Sequence, residues 1–164
     1  MLNLSQEADL LRKVPMFAKL EPSKLKLLAF TSESFKFENA EELFHTGDPA
    51  DCAYVIMSGE VEIMVVTESG EEPAFVRGSN ELIGEMGILT NSPRSTSVRA
   101  RGEVTAMRIN DEAFIRLLRE NSEIALNVMR QLVDRLAQST VRYEEVQNKL
   151  QRYELLHGPM GSDH

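Results

Sequence analysis

Residue types that suit a small anion lie between Gly84 and Thr96. Gly84 precedes Glu85–Leu89, a run short enough for a single helical turn, and a loop then leads to Arg94. The first N–H groups of such a turn have no partner inside the helix, and small residues let a ligand approach the backbone closely. Arg94 is a bidentate cation suited to phosphate, and Ser95 and Thr96 add hydroxyl and backbone donors. The spacing therefore predicts an anion-binding concavity.

Local charge agrees with this prediction. The chain carries 18 Lys and Arg against 26 Asp and Glu, a net charge of −8, so neither nucleic acid nor an anionic membrane is an expected partner. Between Gly84 and Ile109 the balance reverses, with four arginines and two acids. Glu85 is one of those acids, and beside a phosphate it costs affinity unless it accepts hydrogen bonds from another group, such as a sugar hydroxyl. A phosphate and a hydroxyl in so short a span indicate a nucleotide.

The hydrophobic pattern divides the chain into zones that must position this segment. Residues 1–31 predict two short helices, separated by Pro15 and restarted at Pro22. Residues 32–110 alternate apolar and polar residues between frequent glycines, which predicts seven or eight short antiparallel strands in a sandwich or roll, with a hairpin turn at Glu68–Glu71. Residues 111–156 are helical, with Asn110 as a cap, and residues 157–164 have no pattern. The fold class is mainly β with flanking helices.

The last helix is predicted to run from Ser122 to Leu156, about 50 Å, which is longer than a small domain is wide. Its apolar positions alternate spacings of three and four residues, at Met129, Leu132, Leu136, Ser139, Tyr143, Val146, Leu150 and Tyr153. This heptad seam favours a parallel coiled-coil homodimer over an amphipathic helix lying on its own domain. Ser139 is the polar interruption, of the kind that sets register in coiled coils.

Two motifs in the anion-binding segment resemble the cyclic nucleotide-binding domain family. They are Gly84-Glu-Met-Gly-Ile-Leu89 and Pro93-Arg-Ser-Thr-Ser-Val-Arg-Ala100, which match the family's phosphate-binding cassette with little departure. The stretches 42–48 and 54–62 resemble its earlier strands, so that the likeness covers about residues 10–145. The resemblance implies an antiparallel β-roll (a double-stranded β-helix or jelly roll) with N-terminal helices and a long C-terminal helix, as in catabolite activator proteins and protein kinase A regulatory subunits.

The resemblance also implies roles for individual residues. Arg94 would bind the exocyclic phosphate oxygens with the Ser95 hydroxyl and nearby backbone N–H groups, and Glu85 would accept the ribose 2′-hydroxyl, with Gly84 leaving room for the sugar. Two apolar side chains would face the base, and three residues of the long helix would approach the purine, partly from the partner subunit. The predicted ligand contacts are Gly84, Glu85, Met86, Gly87, Arg94, Ser95, Thr96, the base-facing Ile63 and Phe75, and the helical Arg135, Ser139 and Thr140. Because cyclic GMP-preferring relatives often carry Thr after the cassette arginine, Ser95 favours cyclic AMP, with cyclic GMP as the alternative ligand.

Each of these residues also has a purely structural interpretation. A lone arginine such as Arg94 is most often a surface ion-pair partner. Glu85 could be a helix-start acid stabilised by the helix dipole, and the glycines could be turn residues only. The hydroxyls of Ser139 and Thr140 could bond their own helix backbone. The order and spacing of the whole segment favour the functional interpretation.

Composition excludes several other classes of protein. The one cysteine, Cys52, cannot form an internal disulfide, and no apolar run could span a bilayer, so we expect a cytoplasmic protein. The chain has three histidines, and only His45 lies in the predicted roll. One usable histidine supports neither a cupin-type iron site nor a Ser-His-Asp or Cys-His catalytic set, so we expect neither a metal nor an enzyme.

The sequence therefore predicts a dimeric cyclic nucleotide sensor without a DNA-binding domain. Ligand binding would draw the cassette and the long helix together and shift a two-state equilibrium that an unknown effector protein detects. Two alternatives stay open at this point. The chain could be a dimerisation module with a vestigial pocket, or a ligand domain excised from a longer channel, kinase or transcription regulator.

Overall fold

A computed structural model describes residues 3–158 of the chain. It divides into two compact units, one up to Ile124 and the other from Ala125 onward. The first unit contains the β-structure and most of the helices, and the second consists of one long helix.

The N-terminal zone forms two helices joined by a short turn. α1 (Leu4–Arg12) begins with a capping box in which Asn3 and Gln6 satisfy each other's backbone N–H groups. A 3₁₀ turn at Pro15–Phe17 leads to α2 (Pro22–Thr31), which carries its proline in the first turn as predicted. Leu11, Phe17 and Leu25 are among the fully buried side chains of the first unit, so this apolar stripe belongs to its core.

Six antiparallel strands form the β-structure. The strands are β1 (Ser32–Phe37), β2 (Glu42–Phe44), β3 (Cys52–Thr67), β4 (Gly70–Arg77), β5 (Leu82–Ile83) and β6 (Ser97–Asn110). Their order is β1-β6-β3-β4, with β2 paired to β6 and β5 paired to β3. The predicted hairpin turn lies between β3 and β4, and the predicted antiparallel roll with flanking helices is confirmed.

The predicted number of strands, seven or eight, is wrong because two glycines bend their strands and do not end them. β3 runs for 16 residues through Gly59 and β6 for 14 residues through Gly102. Gly59 has φ +90°, and a Cβ there would lie 2.3 Å from the carbonyl oxygen of Glu103. The β3–β6 register shifts at this place, so two long bent strands replace four short ones.

An apolar cluster lies in the interior of the roll. Both long strands contribute to it, and β1, β2 and β5 close it. Its buried members are Phe37, Leu43, Cys52, Tyr54, Ile56, Val61, Ile83, Val98, Ala100, Val104 and Ala106, with Phe44 and Ile63 packed against them. This packing fixes the strands that carry the predicted cassette.

Three helices follow the first strands. α3 (Glu85–Thr90) lies between β5 and β6, and α4 (Asp111–Glu120) follows β6. The side chain of Asn110 accepts the Ala113 N–H at 2.8 Å, so the predicted cap is confirmed.

Helix α5 runs from Ser122 to His157, so its first three residues belong to the first unit and its last residue is one assigned above to the tail. Gly158 follows the helix, and the remaining residues of the predicted tail, 159–164, lie outside the described residues. No helix within residues 3–158 is long and apolar enough to cross a membrane.

Candidate ligand-binding site

The predicted cassette is a strand–turn–loop unit at the end of the roll. β5 ends at Ile83, Gly84 caps α3 in a left-handed conformation, and a loop after Thr90 leads through Arg94 to β6. The backbone of Arg94 is held on both sides by the loop after β2. Its N–H donates to the carbonyl of Asp48 at 2.9 Å, and its carbonyl accepts from the N–H of Gly47 at 2.8 Å. These two hydrogen bonds fix the position of the Arg94 backbone, from which the side chain extends.

The Arg94 side chain points into the protein. It is only 4% exposed, so the interpretation as a surface ion-pair partner is wrong. Nη1 donates to the carbonyl of Gly84 at 2.6 Å, and Nη2 donates to the carbonyl of Cys52 and lies 3.6 Å from its Sγ. The guanidinium thus links the start of β3 to the start of the cassette helix.

One donor of this buried cation is left over. Nε of Arg94 is buried and has no hydrogen-bond partner in the described part of the chain. A buried donor without a partner costs about 1–3 kcal/mol, and more when the group is charged. An anion that reached this nitrogen would remove that cost.

Close packing explains both cassette glycines. Gly84 has φ +86°, and a Cβ there would lie 2.8 Å from Nη1 of Arg94 and 3.1 Å from a ring carbon of Phe44. At Gly87 a Cβ would lie 2.6 Å from the Cβ of Ala50. Gly84 therefore makes room for the arginine, and Gly87 allows α3 to pack on the loop before β3. Room for a sugar at Gly84 stays a prediction.

The other predicted cassette residues differ in exposure. Glu85 lies in the first turn of α3 and is only 1% exposed, which is rare for a carboxylate. Met86, by contrast, is more than half exposed. Ser95 is exposed and Thr96 half-buried.

The two predicted base-facing residues are neighbours. Ile63 on β3 is the cross-strand partner of Phe75 on β4 and of Val98 on β6. Ile63 also packs against the apolar cluster of the roll. The structure therefore brings these two side chains together on adjacent strands, while their contact with a base stays a prediction.

The three predicted purine contacts lie on α5, in the second unit. Arg135 is half-buried, and Ser139 and Thr140 are exposed. The hydroxyl of Thr140 donates to the carbonyl of Leu136 at 3.0 Å, so in this structure it bonds its own helix. The predicted contact of these residues with a purine remains a prediction.

Comparison with known proteins decides the family. The sequence profile of the cyclic nucleotide-binding domain matches residues 34–121, which is more than half of the chain and includes the whole cassette. The chain belongs to the cyclic nucleotide-binding domain family.

Several relatives of this cyclic nucleotide-binding domain are known. A cAMP-dependent protein kinase regulatory subunit from Emericella nidulans is 34% identical over 108 residues, which cover 66% of this chain and 26% of the relative. The Thermus thermophilus catabolite activator protein has a similar structure, with a TM-score of 0.69 and 25% identity over 81% of this chain and 63% of that one. The sensor domain of the Pseudomonas aeruginosa regulator DNR has a TM-score of 0.68 and 26% identity, covering 80% and 89%. The chain spans about a quarter of the length of the kinase regulatory subunit.

A polar network beside the cassette was missed from the sequence. Ser97, the first residue of β6, is 1% exposed, and its Oγ lies 2.9 Å from Oε1 of Glu71 and 3.1 Å from Nδ1 of His45. It also accepts the N–H of Thr46 at 2.9 Å. This serine thereby ties the loop after β2 and strand β4 to the end of the cassette. The signal available in the sequence was a polar residue, Ser97, at the start of an otherwise apolar strand.

The histidine of this network meets the serine and a carboxylate through the same ring nitrogen. Nδ1 of His45 contacts both Ser97 and, at 2.8 Å, the carboxylate of Glu42, whereas a triad uses both ring nitrogens. The hydrogen bond and charge of Glu42 raise the pKa of His45. The pair is a surface ion pair when the ring is protonated.

A cavity of about 280 Å³ borders Arg94 on the side of β3. It is lined by Leu43, Phe44, Asp48, Pro49, Asp51, Cys52, Tyr54, Arg94 and Arg108. Burial raises the pKa of the Cys52 thiol, so the thiol is neutral there, and burial also raises the pKa of Tyr54 to about 12. The positively charged residues among the described ones that line it are Arg94 and Arg108, and Arg108 lies 3.5 Å from the carboxylate of Asp51.

Proposed function

We propose that this domain binds cyclic AMP, in preference to cyclic GMP, with Arg94 on the phosphate. The observation that carries the proposal is the buried guanidinium with one unpartnered nitrogen, Nε. Its other nitrogens are held by two carbonyls, so the cation is already oriented before a ligand arrives. A cyclic phosphate offers oxygens that accept charge-assisted hydrogen bonds from such a donor.

The surrounding residues are suited to the rest of a nucleotide. Glu85 is a buried acceptor two residues after β5, at the same end of the cassette as Gly84, and a ribose 2′-hydroxyl could donate to it. Ile63 and Phe75 offer an apolar surface on adjacent strands, as a base requires. We therefore assign the sugar to Glu85 and the base to these two side chains.

Two facts favour cyclic AMP. Ser95 stands directly after the cassette arginine, where cyclic GMP-preferring relatives often carry threonine. The kinase regulatory subunit from Emericella nidulans is named as cAMP-dependent. We therefore expect a regulatory domain whose ligand shifts a two-state equilibrium, detected by an effector protein in the cytoplasm.

We further propose that α5 mediates a parallel homodimer. Five seam residues are each more than half exposed in the single chain: Met129, Leu136, Tyr143, Val146 and Tyr153. With these at the a and d positions of the heptad, the flanking g positions hold Arg135, Arg142 and Lys149, and the e positions hold Thr140, Gln147 and Glu154. Antiparallel helices would place the basic g positions opposite each other. A parallel pair instead sets Lys149 against Glu154 of the partner helix and opposes no like charges.

Titration calorimetry of the chain with cyclic AMP, cyclic GMP and 5′-AMP tests the proposed ligand. We expect saturable binding of both cyclic nucleotides, tighter for cyclic AMP, and much weaker binding of 5′-AMP, whose phosphate is not cyclised. A parallel thermal-shift series should rank the ligands in the same order. No binding heat and no thermal shift with any cyclic nucleotide would show that the pocket is vestigial and leave only the dimerisation module.

A further inference from the structure

Phe44 is a residue that the sequence did not single out, and it lies against the cassette arginine. It is the last residue of β2, pairs with Val98 on β6, and packs against the apolar cluster of the roll. Its ring centroid lies 4.1 Å from Cζ of Arg94. At this distance the cation lies over the face of the ring, where the attraction between charge and π-electrons is favourable.

The guanidinium is also confined from the side of the cassette backbone. A Cβ at Gly84 would lie 2.8 Å from Nη1 of Arg94 and 3.1 Å from a ring carbon of Phe44, so the glycine backbone packs closely on both groups. The two carbonyl hydrogen bonds, to Gly84 and Cys52, fix the direction of the terminal nitrogens. The Phe44 ring adds a flat surface against which the plane of the guanidinium is held.

We propose that Phe44 is a positioning residue for phosphate binding: its ring holds the plane of the Arg94 guanidinium so that Nε is presented to the ligand. This inference rests on the proposed function and adds a residue to its site. Preorganised donors bind an anion more tightly because no ordering is needed when the ligand arrives. An aliphatic side chain at position 44 fills space but supplies neither the π-face nor a flat surface.

Two substitutions separate this role from ordinary packing. Phe44→Leu removes the ring, and Phe44→Tyr keeps it. Phe37→Leu is the matched control. Phe37 belongs to the same apolar cluster, and its ring packs against the rings of Phe35 and Tyr54. We expect Phe44→Leu to weaken cyclic AMP binding by about 3- to 30-fold. This range corresponds to the loss of a cation–π contact that is partly or fully desolvated. Phe44→Tyr and Phe37→Leu should stay within about twofold of the wild type by the same reasoning.

A ligand-free measurement tests the positioning itself. In the unliganded wild type, the Nε–H proton of Arg94 should be shifted upfield by the ring current and protected from exchange with water; Arg94→Lys identifies its resonance by removing it. Phe44→Leu should abolish the upfield shift and accelerate exchange, and Phe44→Tyr should retain both properties.

The possible results separate the two proposals. An unchanged Arg94 resonance or unchanged cyclic AMP affinity in Phe44→Leu would overturn the positioning role, and so would an equal loss of affinity in Phe37→Leu. A wild type that binds no cyclic nucleotide but shows the shifted, ring-dependent resonance would refute the proposed function while supporting the orientation of Arg94 by Phe44.

Discussion

Replacing Arg94 with leucine should nearly abolish cyclic nucleotide binding. The side chain is 4% exposed and its Nε has no partner in the described part of the chain, so a phosphate bound there would be desolvated and paired with this cation. Truncating one partner of a buried, hydrogen-bonded charge pair costs about 2–5 kcal/mol. A loss of about 3 kcal/mol corresponds to a dissociation constant about a hundredfold higher.

The same substitution also affects folding, and the assay must separate the two effects. Arg94→Leu leaves the carbonyls of Gly84 and Cys52 without their donor, at about 1–3 kcal/mol for each group that stays unsatisfied. Binding should therefore be measured by calorimetry well below the melting temperature of the variant, after circular dichroism has shown that it is folded. Arg94→Lys provides a second variant that keeps the charge but loses the bidentate geometry.

Arg99→Leu is the matched control for charge. Arg99 lies on β6, close to the cassette in sequence, and pairs with Glu62 at 2.9 Å with a partly exposed side chain. Its loss removes one positive charge from the same region and should leave the affinity within about twofold, because Arg99 pairs with Glu62 and is not among the predicted ligand contacts. A folded Arg94→Leu variant with wild-type affinity, or an equal loss in Arg99→Leu, would refute the assignment of the phosphate to Arg94.

Three further predictions follow from the geometry. Gly84→Ala should lower the free energy of unfolding by at least about 1–2 kcal/mol, seen as a lower melting temperature, because the residue has φ +86° and its Cβ would lie 2.8 Å from Arg94. Glu42 raises the pKa of His45 above 6.5, so their ion pair stabilises the fold at pH 6 and this contribution is lost as the pH rises through the folded pKa. Urea denaturation at pH 6 and pH 8 should show the loss of stability. His45→Gln should remove this pH dependence. Sedimentation should give a dimer mass for the full chain and a monomer mass for a chain ending at Val141, and a monomer mass for both chains would exclude the coiled coil.

Local patterns predicted most of the helices because their signals lie within a few residues. Pro22 lies in the first turn of α2, Asn110 caps α4 through its side chain, and α5 begins at Ser122 as predicted. The strand count failed because Gly59 and Gly102 carry the same turn signal whether a strand ends or bends. Only the pairing of β3 with β6, which depends on contacts distant in sequence, decides between these two outcomes.

The candidate site was predictable where one continuous segment carries it. Glycines, an acid and an arginine at fixed spacing marked the candidate cassette, which lies within the residues that the family profile matches. Phe44 and the partners of Ser97 were not predictable, because β2 and β4 bring them to the cassette from distant parts of the sequence. An alternating strand pattern indicates that an apolar residue is buried, but it does not indicate which side chains from other strands or loops contact its ring.

The atoms that hold Arg94 are electrically neutral. Within residues 3–158 its hydrogen-bond acceptors are peptide carbonyls and a thiol sulfur, and it forms no ion pair with a carboxylate. In an ion pair with a carboxylate, the charge of an arginine is already neutralised, and an incoming anion must compete with that carboxylate. Here the two carbonyls fix the direction of the guanidinium, and its positive charge has no carboxylate partner among the described residues of a chain with net charge −8. The proposed phosphate would therefore supply the counterion itself and would not have to displace a carboxylate.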